Sequence, residues 1–199
     1  MTAIPATVLA DLVPGRGLAR PLRVARAVTL ATLGALFLAV VSQIAIPLPF
    51  TPVPVSLATG AVVLIGAGLG PRLSALSTGM YVVAGIAGAP VFAEQSSGWA
   101  FASFGYALGY IPAAVIAGVL ARRAADRSVW KTAGLAGLST LAVFAVGLPW
   151  LMGFLGVDLM TGLALGFFPF LIGDALKMIA AALLLPGAWK LVDRFQGEN

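Results

Sequence analysis

The stretch Ala27-Val-Thr-Leu-Ala-Thr-Leu-Gly-Ala-Leu-Phe-Leu-Ala-Val-Val-Ser-Gln-Ile-Ala-Ile46 decides the fold class, because it carries no charged side chain over its whole length. A helix needs about 20 apolar residues to cross the hydrocarbon core of a bilayer, and this run supplies them. Arg16, Arg20, Arg23 and Arg26 precede it. It exceeds the apolar core of a signal peptide and ends in Pro-Leu-Pro-Phe rather than a cleavage site, so we interpret it as a retained first span.

Five further apolar runs follow in the 199-residue chain, which is 60% hydrophobic and only 10% charged. They are about Val55–Leu69, Leu73–Phe92, Phe101–Leu120, Thr132–Met152 and Leu163–Leu185. A soluble domain carries about 25% charged residues, so the bilayer must be the main solvent. The sequence predicts an all-α membrane protein of six transmembrane helices, with a tail at 1–26, a substrate-binding membrane domain at 27–190 and a tail at 191–199.

Lysines and arginines test this count independently. They precede the first span, separate the second from the third, and follow the fourth and the sixth, whereas the other links hold only Glu94 and Asp158. Positive charge collects in cytoplasmic loops of membrane proteins, so both termini are predicted to be cytoplasmic in a multi-pass protein of the cell inner membrane. The same placement assigns the net charge of +5 to the lipid surface, so no nucleic-acid partner is expected.

Asp174 and Lys177 lie within the last predicted span, where each charge costs roughly 2.5–3.5 kcal/mol on insertion scales. Their i, i+3 spacing places them on one helix face, where they can pair or hold one ligand. The alternatives are a lysine that reaches the interface, or a pair that only locks helix packing. We predict a ligand-binding or ion-coupling site here.

Two polar or rigid segments are candidates for the walls of that site. The link Ile46-Pro-Leu-Pro-Phe-Thr-Pro-Val-Pro-Val-Ser56 cannot be helical, because each proline fixes φ and restricts the preceding residue. It predicts a stiff polyproline-like strap that presents Thr51 and Val53 to a pocket, or else a plain connector. The segment from Pro90 to Tyr110 mixes flat apolar rings with polar groups, which is typical of small-ligand sites or of an interfacial aromatic belt. Its candidate binding residues are Phe92, Glu94, Trp99, Ser103 and Tyr106.

Small residues recur at every fourth position of the first span, at Ala27, Ala31, Ala35 and Ala39. Such a row lets another helix approach closely, within this chain or from a partner protein. The chain has no His and no Cys, which removes the usual catalytic bases, nucleophiles and soft metal ligands. An enzyme is therefore not expected. The chain also lacks a G-x-x-x-x-G-K-[ST] loop, so it cannot hydrolyse ATP itself, and any energy that it uses must come from partners or from a gradient.

Taken together, these motifs resemble the BioY family, the biotin-specific S components of energy-coupling factor (ECF) transporters. The matching stretches are Ile46-Pro-Leu-Pro-Phe-Thr-Pro-Val-Pro-Val55, Gly70-Pro-Arg-Leu73, Gly88-Ala-Pro-Val-Phe-Ala93, Gly105-Tyr-Ala-Leu-Gly109, Gly147-Leu-Pro-Trp150 and Pro169 through Lys177. One departure stands before the fourth span, where Phe101-Ala-Ser-Phe-Gly-Tyr106 replaces the family's Gly-Pro-Thr-Gly-Gly-Tyr. Ser103 keeps a hydroxyl there, whereas Phe104 is predicted to reshape the pocket wall.

The resemblance implies high-affinity capture and import of biotin, with no cofactor. It also implies partners, namely a transmembrane coupling protein and two ABC-type ATPases, which dock in this family through small residues of the first helix; Ala31 and Ala35 are the main docking candidates. Asp174 would accept from a ureido N–H, and Lys177 would offset the valerate carboxylate. The residues alone leave open an ion-coupled or stand-alone carrier for biotin or another small vitamin.

Overall fold

The computed structural model describes residues 8–13 and 19–197 of the chain. Seven helices and one β-hairpin follow in order: α1 (Arg20–Ser42), β1 (Ala45–Leu48), β2 (Thr51–Ser56), α2 (Ala58–Leu69), α3 (Pro71–Ile86), α4 (Phe104–Ala121), α5 (Val129–Leu155), α6 (Leu159–Gly166) and α7 (Leu171–Gly197). Short 3₁₀ turns lie at Leu9–Leu12, Ala93–Gln95, Ala125–Arg127 and Phe168–Phe170. We call the end of the bundle that carries the hairpin the hairpin end, and the other the terminal end.

Four helical stretches in the described residues are long and apolar enough to cross a membrane: α1, α4, α5 and the stretch from Leu159 to Arg194. The chain is therefore a helical membrane protein. Helix α2 is apolar but has only 12 residues, and α3 has 16. They are separated by Gly70 at φ +78°, and Pro71 starts α3. Proline at the first helical position has no N–H to leave unpaired, so the chain turns here without losing a hydrogen bond.

The predicted last span, Leu163–Leu185, is wrong as one continuous helix. Helix α6 ends at Gly166, a 3₁₀ turn covers Phe168–Phe170, and α7 begins at Leu171. Pro169 lies in that turn, where its ring removes one N–H and excludes a regular helix. Helix α7 then continues beyond Leu185 to Gly197. Asp174 therefore lies in the first turn of a helix rather than in the middle of one.

The Pro-rich strap forms an antiparallel hairpin, so the prediction of an all-α protein is wrong for this segment. Ala45 pairs with Ser56, Ile46 with Val55, and Leu48 with Thr51. The register is irregular between Ile46 and Leu48, around Pro47. Proline cannot donate to the ladder and is tolerated only where pairing is irregular or at an edge.

Helix α4 occupies the centre, where it packs against α5, α2 and α3. Glycines permit these close approaches, because a Cβ at Gly109 would meet the backbone of Val143 and one at Gly118 would meet Pro71. Helix α1 packs on α3, and α7 packs on α5 and α2. The hairpin and the α3–α4 link therefore cover one end of a small-residue core.

Residues 8–13, which fall in the predicted tail 1–26, pack against the terminal end. Val8 is fully buried, and the Arg26 guanidinium donates to the carbonyl oxygens of Ala10 and Val13. Asp11 pairs with Arg122 at 3.4 Å. Helix α1 already begins at Arg20, before the predicted boundary at 27. The rest of the predicted tails, at 1–7, 14–18 and 198–199, lies outside the described residues.

Candidate functional site

The charged pair predicted in the last span forms one compact cluster with a hydroxyl from α2. Lys177 Nζ lies 2.8 Å from Asp174 Oδ1 and donates to Thr59 Oγ1 at 3.0 Å. The Thr59 hydroxyl donates in turn to Asp174 Oδ1 at 3.2 Å. Asp174 is 4% exposed, and its position in the first turn of α7 places the carboxylate near the positive end of the helix dipole. The cluster is thus a neutral buried pair with spare hydrogen-bonding capacity.

An inner cavity of about 40 Å³ lies under the hairpin, between α3 and α4. Aromatic rings and hydroxyl groups share its wall, which is formed by Pro54, Ser56, Tyr81, Phe92, Ala93, Phe101, Ser103, Tyr106, Ala107 and Tyr110. Asp174 and Lys177 do not line this cavity; Lys177 and Thr59 line a separate, narrower space beside α5. Flat apolar faces with a few hydroxyls suit a small ligand that carries both a ring and polar groups.

A surface depression of about 370 Å³ lies beside the inner cavity. The two share four lining residues, namely Pro54, Ala93, Phe101 and Ser103. These residues therefore form the wall between the two spaces. Pockets that hold small ligands measure roughly 300–1,000 Å³, so the inner cavity alone is too small and its wall must move to admit one.

Aromatic packing fixes one side of this wall. Phe92 contacts Tyr81 edge-on with 5.2 Å between ring centroids, and it also packs on Phe101 and Phe104. Trp150 Nε1 donates to the carbonyl oxygen of Phe101 at 3.0 Å. Phe104, the departure noted in the sequence, packs against the Trp150 ring behind the wall and does not line the inner cavity. Its effect on the wall is therefore indirect, through Phe101.

The structure brings some of the predicted binding residues together and separates others. Phe92, Ser103 and Tyr106 line the inner cavity, whereas Glu94 lines the surface depression. Tyr106 also donates its hydroxyl hydrogen to the carbonyl oxygen of Gly166 at 2.8 Å. Phe92 is thus held in place by neighbouring aromatic rings, and Tyr106 by its hydrogen bond to Gly166.

Trp99, Thr51 and Val53 line neither cavity. Trp99 is 61% exposed, because the link turns it away from the bundle. Thr51 Oγ1 donates to the carbonyl oxygen of Leu165 at 2.7 Å, and Val53 is buried in the main hydrophobic core. That these three residues contact ligand stays a prediction; in this structure Thr51 fastens β2 to α6.

The sequence did not single out Ser56, Thr59 or Tyr81 as binding residues, and it placed Tyr110 only at the end of the mixed segment that begins at Pro90. Tyr81 lies mid-helix in α3, where its hydroxyl and that of Ser42 are 2.9 Å apart. Ser56 ends β2, and Thr59 lies in the first turn of α2. A polar residue in an apolar run was the available signal, but only the tertiary structure tells which of these hydroxyls face Asp174.

The small-residue row of α1 faces the interior at Ala31. This residue is fully buried, and its carbonyl oxygen accepts from Ser77 Oγ of α3 at 2.6 Å. Ala31 is therefore covered by α3 of the same chain, and its role in docking stays a prediction. Ala27, Ala35 and Ala39 are half-buried, and the last two pack against the main core.

No group of three or more potential metal-ligating side chains occurs in the described residues. The comparisons with known proteins begin with a family model, which matches residues 13–194 and is described as the BioY family. The chain belongs to the BioY family. This confirms the resemblance inferred from its motifs.

Three curated relatives support the assignment. The chain is 32% identical to "Biotin transporter BioY" of Thermotoga maritima over 142 residues, 70% of this chain and 82% of the relative. It is 35% identical to "Probable biotin transporter BioY" of Pyrococcus horikoshii over 169 residues, 84% of this chain and 96% of the relative. "Biotin transporter BioY2" of Lactococcus lactis is 34% identical over 158 residues, 78% of this chain and 85% of the relative.

A solved structure shares the fold. The crystal structure at 2.1 Å of the S-component for biotin from an ECF-type ABC transporter matches with a TM-score of 0.76 and 21% identity. The match covers 87% of this chain and 95% of that one. The helical arrangement described above is therefore that of an S component.

Proposed function

We propose that this BioY protein captures biotin at the hairpin end and imports it as the substrate-binding S component of an ECF transporter. The observation that carries this proposal is the aromatic, hydroxyl-lined cavity under the hairpin, in a bundle that also buries the charge-balanced Asp174–Lys177–Thr59 cluster. Its relatives are named as biotin transporters rather than enzymes. No cofactor is needed, since binding and release involve no covalent step.

The chemistry of biotin matches this lining. Its ureido ring offers two N–H donors and one C=O acceptor, its fused sulfur ring is apolar, and its valerate tail ends in a carboxylate. Asp174 accepts from a ureido N–H, and Lys177 offsets the carboxylate directly or through water. Phe92 and Tyr106 flank the rings. The hydroxyls of Ser56, Ser103 and Tyr110 are within the same wall and complete the polar contacts.

The orientation follows from charge. Six segments cross the membrane, namely α1, α2, α3, α4, α5 and the α6–α7 stretch. Both termini lie on the cytoplasmic side of the inner membrane. The basic residues near the ends of the helices support it, since Arg72, Arg122, Lys131 and Lys190 all belong to the terminal end. Glu94 and Asp158 belong to the hairpin end. Biotin therefore enters from outside through the hairpin end.

Energy comes from a transmembrane coupling protein and two ABC-type ATPases. Helix α1 is the docking element, because its exposed side carries a row of apolar residues that includes Leu33, Leu36 and Val40. The half-buried Ala27, Ala35 and Ala39 border this face and allow a partner helix to approach closely.

Biotin binding and biotin transport test the proposal separately. Calorimetry on detergent-purified protein is expected to give stoichiometric binding, with an affinity in the nanomolar range, around −12 kcal/mol. Absence of binding by folded protein would overturn the substrate. Uptake into vesicles is then compared with and without the ATPase module. Uptake that needs an ion gradient and no ATPase would instead support the ion-coupled carrier.

A further inference from the structure

Gln43, at the end of α1, makes an unusual number of contacts with a distant segment of the chain. Its Nε2 donates to the carbonyl oxygens of Val91 and Phe92, each at 3.1 Å, and to Ala39 of its own helix at the same distance. Its Oε1 accepts from the backbone N–H of Gln95 at 3.1 Å. One amide thus satisfies backbone groups on both sides of Ala93.

Residues 91–95, the segment that Gln43 holds in this way, contribute lining residues to both cavities. Phe92 and Ala93 line the inner cavity, and Ala93 and Glu94 line the surface depression. Ala93 belongs to the shared wall. Any movement of this segment away from the hairpin therefore changes the separation between the two spaces.

The backbone of the segment is in a conformation that its side chains disfavour. Glu94 and Gln95 both have positive φ, 57° and 56°, although neither is glycine. Consecutive left-handed residues of this kind persist only where their surroundings impose them. The hydrogen bond that the Gln95 N–H donates to Gln43 is such a restraint. It acts on the second of the two left-handed residues, Glu94 and Gln95.

The segment also has glycines on either side at which the chain can bend. Gly88 has φ +100° and Gly98 has φ +80°, and a Cβ at either position would meet no atom within 4 Å. Gln43 itself is exposed, so water can replace its contacts when the segment moves. The held segment therefore combines strain, flanking hinges and a restraint that can be broken.

We propose that Gln43 is a positioning residue that holds residues 91–95 as the wall between the inner cavity and the surface depression, and thereby sets the rates of ligand entry and release. This inference rests on the proposed function. Joining the two spaces requires the contacts of Gln43 with Val91, Phe92 and Gln95 to break. The ligand-bound state restores them, because Phe92 and Ala93 then close over the ligand.

Gln43→Leu removes both the donor and the acceptor at similar size, and Gln43→Asn keeps an amide that is too short to reach the same groups. Stopped-flow measurements with biotin are expected to give association and dissociation rates at least five-fold faster in both variants, with a smaller change in Kd. Ser97→Ala is the matched control, because in the described part of the chain the Ser97 side chain makes no hydrogen bond. Both rates are expected to equal those of wild type in this control.

Hydrogen exchange of the ligand-free protein tests the restraint without biotin. Amides of residues 91–97 are expected to exchange faster in both Gln43 variants than in wild type or Ser97→Ala. Unchanged exchange in folded variants would overturn the inference, and so would faster exchange with unchanged biotin rates. If wild type binds no biotin, the proposed function fails while the exchange comparison still decides whether Gln43 holds the segment.

Discussion

The two ends of α7 each bury a carboxylate beside a partner from another element, yet they are built differently. At the start of the helix, Asp174 is balanced by Lys177 and by the Thr59 hydroxyl. Near its end, Trp189 Nε1 donates to Asp126 Oδ2 of the α4–α5 link at 2.5 Å. The Arg127 guanidinium lies 4.1 Å from the centroid of the Trp189 ring.

The difference indicates which buried carboxylate serves a ligand. The charge of Asp174 is balanced by Lys177, and its Oδ1 also accepts from the Thr59 hydroxyl. Neither carboxylate lines the inner cavity or the surface depression, but Thr59 and Lys177 beside Asp174 line a narrow space of their own, whereas Asp126 Oδ1 has no hydrogen-bond partner among the described residues. Burial alone does not identify a binding site; the cation and hydroxyl that accompany Asp174 are what distinguish it from Asp126.

The largest effect is expected from neutralising the cluster at the start of α7. The double variant Asp174→Asn/Lys177→Met keeps approximate shape and leaves no unpaired buried charge, which a single substitution would create. Biotin affinity is expected to fall roughly 100-fold or more, about 2.8 kcal/mol, because both charge-assisted contacts are lost. Calorimetry measures this loss.

The matched control for that variant is Lys190→Met/Asp193→Asn, which removes one charge of each sign at the same spacing from the exposed end of the same helix. Its biotin affinity should equal that of wild type. Equal binding by the Asp174/Lys177 variant would mean that this pair only locks helix packing and that the comparison between the two ends is mistaken.

The next effect concerns stability rather than binding. Trp189→Phe removes the N–H that satisfies Asp126, so a buried carboxylate loses a hydrogen bond worth about 1–3 kcal/mol. The unfolding midpoint in detergent should fall while biotin affinity is unchanged. Trp130→Phe, at a position 86% exposed, is the control and should leave the midpoint unchanged. Loss of biotin binding in folded Trp189→Phe would contradict the assignment of this end to structure.

The contrast between the two ends also marks how far sequence reasoning reaches. Hydropathy and charge predict most helices, and the i, i+3 rule places Asp174 and Lys177 together because both lie on one element. The same reasoning fails for the break at Pro169, since a proline in an apolar run is compatible with either a kinked span or two helices. It also fails for the hairpin, whose cross-strand pairing is a tertiary contact.

Individual side chains are harder to predict from sequence than elements are. Phe92 and Trp99 look alike in the sequence, yet one is 2% exposed and the other 61%, because the left-handed backbone at Glu94 and Gln95 turns the chain between them. The small-residue row of α1 predicts close helix packing correctly, but only the position of Ser77 reveals that Ala31 packs on α3. The role of Thr59 could not be predicted, because only the approach of α7 to α2 brings its hydroxyl to Lys177.

A smaller effect on binding is expected from Thr59→Val, which keeps the shape and removes the hydroxyl that bridges Asp174 and Lys177. The pair itself remains, so biotin affinity should fall only about 3- to 10-fold, in line with the roughly 0.5–1.5 kcal/mol of one hydrogen bond. Thr140→Val is the matched control. Thr140 lines the same narrow space beside Lys177, but its hydroxyl makes no hydrogen bond within the residues described here.

If both threonine variants bind biotin equally, the Thr59 hydroxyl has no role in orienting the pair. The cluster would then work through charge alone, and the distinction from the Asp126 end would rest on Lys177 only. A fall much larger than 10-fold would instead indicate that Thr59 contacts biotin directly, which sharpens the site toward α2.

The smallest effect is a dependence of stability on pH at the other end of α7. Burial raises the pKa of Asp126 above its ordinary value of 3.8, against the opposing effects of the Trp189 hydrogen bond and the Arg127 charge. The folded state therefore holds this proton more tightly than the unfolded state does. The resulting stability is fully present below pH 3.8 and is lost as pH rises through the raised folded pKa.

Asp126→Asn removes this titration while its amide oxygen still accepts from Trp189. The unfolding midpoint of wild type minus that of Asp126→Asn should therefore decrease as pH rises above 3.8. Asp158→Asn is the control of opposite sign, because hydrogen bonds from Thr161 lower the pKa of Asp158, whose contribution to stability grows as pH rises. A flat difference for Asp126 would mean that water reaches its unpartnered oxygen, and the two ends of α7 would then differ less in solvation than in charge balance.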